Sequence, residues 1–121
     1  MGRFELYVET AYFAGVDPDS TPPADIIITI DNKEVVNDTF SYLPKRHTPK
    51  RFSINLSEGP HKLVCMTTKD KTKFERDFQV QKGIQSAIVR FEYYIDDTVG
   101  SSREVLTRFS VHFLDHRPYF E

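Results

Sequence analysis

Apolar residues alternate with polar ones along three segments of this chain, and this two-residue period limits the fold more than any other feature of the sequence. The alternation runs through residues 52–56, 87–95 and 107–113. Successive side chains of a β-strand point to opposite faces, so each segment presents one face to a core and the other to solvent or a second interface. No stretch carries a helical apolar period over three turns. The pattern therefore predicts an all-β chain.

Glycine and proline residues separate the chain into about eight predicted strands. The strands are predicted at residues 3–12, 25–30, 35–42, 51–56, 61–68, 73–80, 86–95 and 104–114. Residues 31–34 are predicted to form a tight hairpin, because Asn32 tolerates a positive φ. Short strands with turn residues between them are typical of a sandwich or a barrel. A chain of 121 residues has the size of one domain, so we predict a single antiparallel β-sandwich over residues 1–121.

Two short motifs stand where a hairpin and a later strand entry are predicted. Residues 26–32 (IIITIDN) are an apolar strand that ends in an Asp-Asn turn, and residues 59–63 (GPHKL) follow a Gly-x-His-x-Leu pattern. With these motifs, residues 25–93 resemble the transthyretin-like, carboxypeptidase-regulatory and PEGA group of β-sandwich modules. The resemblance implies a transthyretin-like sandwich, to which an immunoglobulin-like sandwich is the alternative. It also implies a non-catalytic spacer, ligand platform or partner-binding unit.

Charge is distributed unevenly along the chain. Residues 1–44 hold two Lys or Arg against eight Asp or Glu, and residues 45–76 hold nine against three. Clustered basic residues attract phosphate, acidic polysaccharide or an acidic protein surface. Nucleic acid is disfavoured, because the sequence pI is about 6.1 and no RNA- or DNA-binding motif is present. We predict an anion- or partner-binding site in the basic loop, made of Lys45, Arg46, His47, Lys50 and Arg51.

Four apolar residues fall on the register that faces away from the predicted core of the last two strands. A sandwich normally carries polar residues on such an outer face. We therefore predict that something covers this sheet, either the C-terminal residues 117–121 or another subunit in a homodimer. The predicted interface residues are Ile88, Tyr94, Leu106 and Leu114.

Catalytic and metal-binding patterns are not evident in the sequence. The single cysteine, Cys65, lies in an apolar run and is predicted to be a buried hydrophobe. No serine occupies a nucleophile elbow, and no histidine has a spacing that predicts a general base. His112 and His116 would lie about 13 Å apart along a strand, too far to share a metal ion. The chain also ends in HRPYFE, whereas the hydrolytic transthyretin relatives end in a Tyr-Arg-Gly-Ser signature. We predict no enzyme activity, no metal and no cofactor.

The sequence therefore predicts a non-catalytic β-sandwich interaction module that binds a protein partner or self-associates. The alternatives are a carbohydrate-binding module, for which Tyr7, Tyr94 and either Tyr12 or Tyr119 would be outward contacts, an anion-binding module, and a small hydrolase. No segment approaches the roughly 18 apolar residues of a membrane span. If Met1 is the natural start, the absence of an apolar segment after it predicts a cytoplasmic chain. If the sequence is an excised part of a longer protein, an exported domain is the alternative.

Overall fold

The computed structural model describes residues 2–13, 15–17, 23–40, 49–68, 72–81, 85–95 and 105–115. These residues form the eight strands that the sequence predicts, with ends that differ by at most two residues, and no helix. The strands are β1 (Gly2–Tyr12), β2 (Ala24–Ile30), β3 (Lys33–Phe40), β4 (Lys50–Leu56), β5 (Gly59–Thr67), β6 (Lys73–Val80), β7 (Gln85–Ile95) and β8 (Val105–Leu114).

The predicted hairpin between β2 and β3 is confirmed and is tighter than expected. Asp31 has a φ of 53° and Asn32 a φ of 67°. A two-residue turn with positive φ at both positions matches the right-handed twist of the strands that it joins. Because the turn needs only these two residues, β3 begins at Lys33 instead of at residue 35.

The strands form two four-stranded sheets. Sheet A has the order β4-β1-β7-β8, and sheet B has the order β3-β2-β5-β6. All pairings in sheet B are antiparallel, but β1 and β7 in sheet A run parallel. The prediction of an entirely antiparallel arrangement is therefore wrong at this pair. Parallel neighbours need a long connection between them. Here the connection is long because all four strands of sheet B lie between β1 and β7 in the sequence.

The inward faces of the two sheets contribute to one hydrophobic core. Phe4 of β1 and Phe91 of β7 are buried with Ile28 of β2. The ring of Phe78, on β6 of sheet B, lies 5.2 Å from the ring of Phe4 and 5.0 Å from that of Phe113, both in sheet A. Phe78 therefore joins the two sheets on the side where β6 and β8 lie.

Candidate interaction surface

Exposed apolar side chains gather at one end of the outer face of sheet A, where β7 ends and β8 begins. Leu106 lies opposite Tyr94 in the β7–β8 pairing. Phe13 follows β1 at the same end, because its backbone N–H donates to the carbonyl of Tyr93 at 3.0 Å. Among the described residues, the exposed large hydrophobic side chains are Phe13 (41%), Val105 (49%) and Leu106 (36%). Val105 shares the register of core-facing Phe109, so its side chain leaves the opposite face of β8 from Leu106.

Arg108 contacts two aromatic rings at this end of the face. Its guanidinium carbon lies 4.5 Å from the centre of the Tyr94 ring and 5.4 Å from that of Phe13. Its Nε donates to Oε1 of Glu92 at 2.7 Å, which orients the guanidinium group. Each cation–π contact of this kind stabilises by about 0.5–1 kcal/mol at an exposed site. We call the surface formed by Phe13, Tyr94, Leu106 and Arg108 the β8 patch.

The other end of the same outer face is not open to solvent. Glu5, Tyr7 and Ser86 fall on outward positions of β1 and β7, yet their exposures are 1%, 5% and 0%. The hydroxyl of Tyr7 donates to Oε2 of Glu5 at 2.5 Å. Such burial of polar side chains on an outward register means that the face is covered at this end.

The four predicted interface residues do share the outer face of sheet A, but they divide between its two ends. Tyr94 and Leu106 belong to the β8 patch. Ile88 lies beside Tyr7, and Leu114 lies opposite Ser86, so both neighbour the covered end. Both are half-buried. Tyr94 is half-buried as well, so Leu106, in the β8 patch, is the exposed one of the four predicted interface residues.

The predicted basic site falls largely outside the described residues, which do not include Lys45, Arg46 or His47. Lys50 and Arg51 are adjacent residues of β4, so their side chains leave opposite faces of sheet A. The ammonium of Lys50 pairs with Asp38 of β3 and lies 5.7 Å from the ring of Phe52. These two basic residues therefore do not converge on one ligand.

At the end of sheet B that holds the β2–β3 turn, a buried histidine, His61, makes two polar contacts. His61 Nδ1 lies 2.5 Å from Oδ2 of Asp31, and Nε2 lies 2.7 Å from the backbone carbonyl of Ser57. The other carboxylate oxygen of Asp31 accepts the backbone N–H of Lys62 at 2.9 Å. Both ring nitrogens thus face oxygen acceptors, an arrangement satisfied in full only by the doubly protonated imidazolium.

The pKa values of this pair shift in opposite directions. Burial lowers the pKa of His61, but the hydrogen bonds to Asp31 and to the Ser57 carbonyl outweigh burial and raise it overall. The hydrogen bond with His61, followed by that with the Lys62 amide, lowers the pKa of Asp31. The contact therefore favours an ion pair between imidazolium and carboxylate.

An open groove of about 540 Å³ lies beside the histidine. Its lining residues are Asp31, Pro60, His61, Lys62, Asp77, Phe78 and Gln79. The sequence motifs contain both Asp31 and His61, but they do not indicate that the two meet. The β2–β5 pairing sets Ile30 opposite Leu63, which brings the hairpin turn to the beginning of β5.

Other candidate chemistry finds no support within the described ranges. Cys65 is fully buried, and burial raises the pKa of its thiol to about 12. In residues 2–13, 15–17, 23–40, 49–68, 72–81, 85–95 and 105–115, no three His, Cys, Asp or Glu gather to hold a metal ion. That part of the chain also has no helix of the length and apolarity needed to cross a membrane.

Comparison with known proteins returns no similar chain: no family model matches the sequence, and no match is found among curated proteins or solved structures.

Proposed function

We propose that this chain is a non-catalytic β-sandwich interaction module that binds another protein through the β8 patch. The observation that carries the proposal is the contact of the Arg108 guanidinium group with the rings of exposed Phe13 and half-buried Tyr94, on the outer face that also carries exposed Leu106. Aromatic residues and arginine are enriched in protein interfaces and contribute most of the binding energy there. The Glu92 ion pair fixes Arg108 before any partner arrives, which lowers the entropy cost of binding.

Among the described strands, β8 is an edge strand of sheet A, and its composition supports the β8 patch as the contact surface. Sheet edges are usually protected from other chains by charged residues or bulges. β6 carries four charged residues among eight (KFERDFQV), whereas β8 carries one among ten (VLTRFSVHFL). A long edge strand with so little charge is suited to contact with a protein partner or a second copy of the chain.

For the finer fold class we propose a transthyretin-like sandwich rather than an immunoglobulin-like one. In the constant-type immunoglobulin sandwich, the first and second strands belong to the same sheet. Here β1 lies in sheet A and β2 lies in sheet B. The two motifs that suggest the transthyretin-like group also meet in space, through the hydrogen bond between Asp31 and His61.

The groove beside His61 is the observation that favours the rival proposal of a small hydrolase. A histidine held by a carboxylate at the edge of a groove resembles the base and orienting group of many hydrolases. In such a site the second ring nitrogen must be available to a nucleophile. Nε2 of His61 instead lies 2.7 Å from the carbonyl of Ser57, and the side chain is 7% exposed. The geometry therefore favours a structural contact over a catalytic base.

A carbohydrate module receives less support from the tyrosines. Stacking of a sugar needs an open aromatic face. Tyr7 is buried, the ring of Tyr12 stacks on that of Tyr93 at 4.9 Å, and Arg108 lies over Tyr94. The composition of the β8 patch therefore fits a protein partner better than a glycan.

Affinity capture from cells that express the protein, with three versions of the chain as bait, tests this function. The parent is compared with Leu106→Glu, which places a charge in the β8 patch, and with Asn37→Glu, which places one on exposed β3. We expect at least one protein to be recovered with the parent and Asn37→Glu and lost with Leu106→Glu. Equal recovery with all three baits would reject the β8 patch as the binding surface. Circular dichroism confirms that each bait is folded.

A further inference from the structure

His61 connects parts of the molecule that belong to different sheets. Asp31 lies in the turn between β2 and β3 of sheet B, whereas Ser57 directly follows β4 of sheet A. The imidazole on β5 contacts both of them, at 2.5 Å and 2.7 Å. A single side chain thus fixes the hairpin turn of one sheet and the segment by which the chain leaves the other.

Both contacts depend on the protonation of one ring. The carboxylate of Asp31 and the carbonyl of Ser57 are acceptors, so each requires an N–H donor from the imidazole. A neutral imidazole carries only one N–H group. At one of the two contacts the ring nitrogen then has no proton, so two hydrogen-bond acceptors, the nitrogen and the oxygen, face each other. His61 is only 9% exposed, so water has little access to the ring nitrogen that loses its partner, whereas the Asp31 carboxylate, 47% exposed, can be solvated once the contact opens.

We propose that His61, Asp31 and the Ser57 carbonyl form a proton-dependent clasp that is closed when His61 is charged and opens when it is neutral. Opening separates either the β2–β3 turn or the segment after β4 from β5 and reshapes the groove lined by Asp31, Pro60 and Lys62. The clasp is a regulatory device at the end of sheet B and does not rest on the binding function proposed for the β8 patch.

The charged groups around His61 support the closed, charged state. From the β2–β3 turn, Asp31 faces the ring directly and is also held by the Lys62 amide. From β5, the ammonium of Lys62 lies 3.5 Å from Oε2 of Glu75, so a carboxylate offsets its charge. From β6, Asp77 lines the same groove, and Phe78 contributes an aromatic ring 5.7 Å from the imidazole.

The direction of the pKa shifts agrees with this geometry. Burial opposes the charge, but the hydrogen bonds to Asp31 and Ser57 outweigh burial and raise the pKa of His61 above its ordinary value of 6.5. The clasp is therefore expected to close as the pH falls and to open as the pH rises through the pKa of the folded chain. The midpoint of the transition is therefore expected at a pH above the ordinary pKa of a histidine.

Nuclear magnetic resonance of the whole chain, labelled with ¹⁵N and titrated between pH 5 and pH 9, tests the clasp. We expect both ring nitrogens of His61 to be protonated at pH 5.5 and to titrate with a midpoint above about 6.5. We also expect the backbone amides of Asp31 and Lys62 to shift with the same midpoint, since each takes part in hydrogen bonds beside the ring.

Two variants separate the clasp from an ordinary buried histidine. Asp31→Asn removes the carboxylate and should lower the midpoint of His61, whereas His112→Gln should leave it unchanged. A neutral His61 at pH 5.5, an unchanged midpoint in Asp31→Asn, or titration of His61 without a shift of the Lys62 amide would each overturn the proposal. The spectra of the parent chain alone decide the first and third of these outcomes, so the test does not depend on either variant folding.

Discussion

Arg108 and Tyr94 lie on neighbouring strands, with the guanidinium carbon 4.5 Å from the centre of the tyrosine ring. The same arginine donates to Glu92, which is 8% exposed on the outer face of sheet A. The contact therefore combines a half-buried aromatic ring with an ion pair whose carboxylate is buried and whose arginine is half exposed. This combination gives the β8 patch a fixed shape, which a chance group of exposed apolar residues would lack.

Replacement of Arg108 should lower stability by a measurable amount. Arg108→Ala removes the donor to Oε1 of Glu92 and leaves the Ser110 hydroxyl, at 3.2 Å from Oε2, as a donor to the carboxylate. Loss of a donor to a largely buried carboxylate costs about 1–3 kcal/mol. Urea denaturation measures the change, and Arg108→Lys should recover part of it because the charge is kept while the planar stacking is lost. Equal stability of the parent and Arg108→Ala would contradict the role assigned to this ion pair.

Stability should depend on pH through His61. Its pKa is raised in the folded chain above the value of 6.5. The stabilisation from its contacts is therefore complete below about pH 6.5 and is lost as the pH rises through the pKa of the folded chain. We expect the free energy of unfolding, from urea denaturation between pH 6 and pH 9, to contain a decrease that His61→Gln removes and His112→Gln retains. The same pH profile in the parent and His61→Gln would show that the sign or the residue is wrong.

The β2–β3 turn offers a test of backbone conformation. Asn32 has a φ of 67°, a region that costs a residue such as alanine about 1–2 kcal/mol. Asn32→Ala should therefore reduce the free energy of unfolding by about that amount, whereas Asn32→Gly should be close to neutral because glycine is favoured at this turn position. Thermal and urea denaturation of the two variants provide the comparison. A glycine variant as unstable as the alanine variant would argue against the positive φ.

Cys65 should be chemically inert in the folded chain. It is fully buried, and burial raises the pKa of its thiol to about 12. The thiolate is the reactive form, so a thiol reagent at pH 8 should label the folded chain at least about 100-fold more slowly than the chain unfolded in urea. Labelling at the same rate in both states would place the thiol at the surface.

The sequence was sufficient for the local features of the fold. Alternation together with the glycine and proline positions located the eight strands, and the Asp-Asn pair located the tight turn, because all of these depend on residues close together in the chain. The parallel pairing of β1 with β7 could not be predicted in this way. Alternation defines the face of a strand but contains no information on the direction of its neighbour.

The candidate sites show the same division. The outward register of Tyr94 and Leu106 followed from their position relative to Val89 and Phe109. Arg108 was missed, because an arginine on an outward position of a strand is the ordinary solvent-facing residue. The sequence feature that could have indicated Arg108 is its position two residues after Leu106, because residues two apart on a strand share one face. The contact between His61 and Asp31 spans thirty residues and depends on the β2–β5 register.

Site-specific photo-crosslinking in cells that express the protein tests the central claim most directly. A photoreactive phenylalanine analogue replaces Phe13 in the β8 patch, and in a matched chain it replaces exposed Asn37 on β3 of the other sheet. We predict a discrete crosslinked species from position 13 that is absent from position 37. A mass of two chains identifies a second copy as the partner, and any other mass identifies a different protein. The same yield at both positions, or no adduct at position 13, would contradict the account.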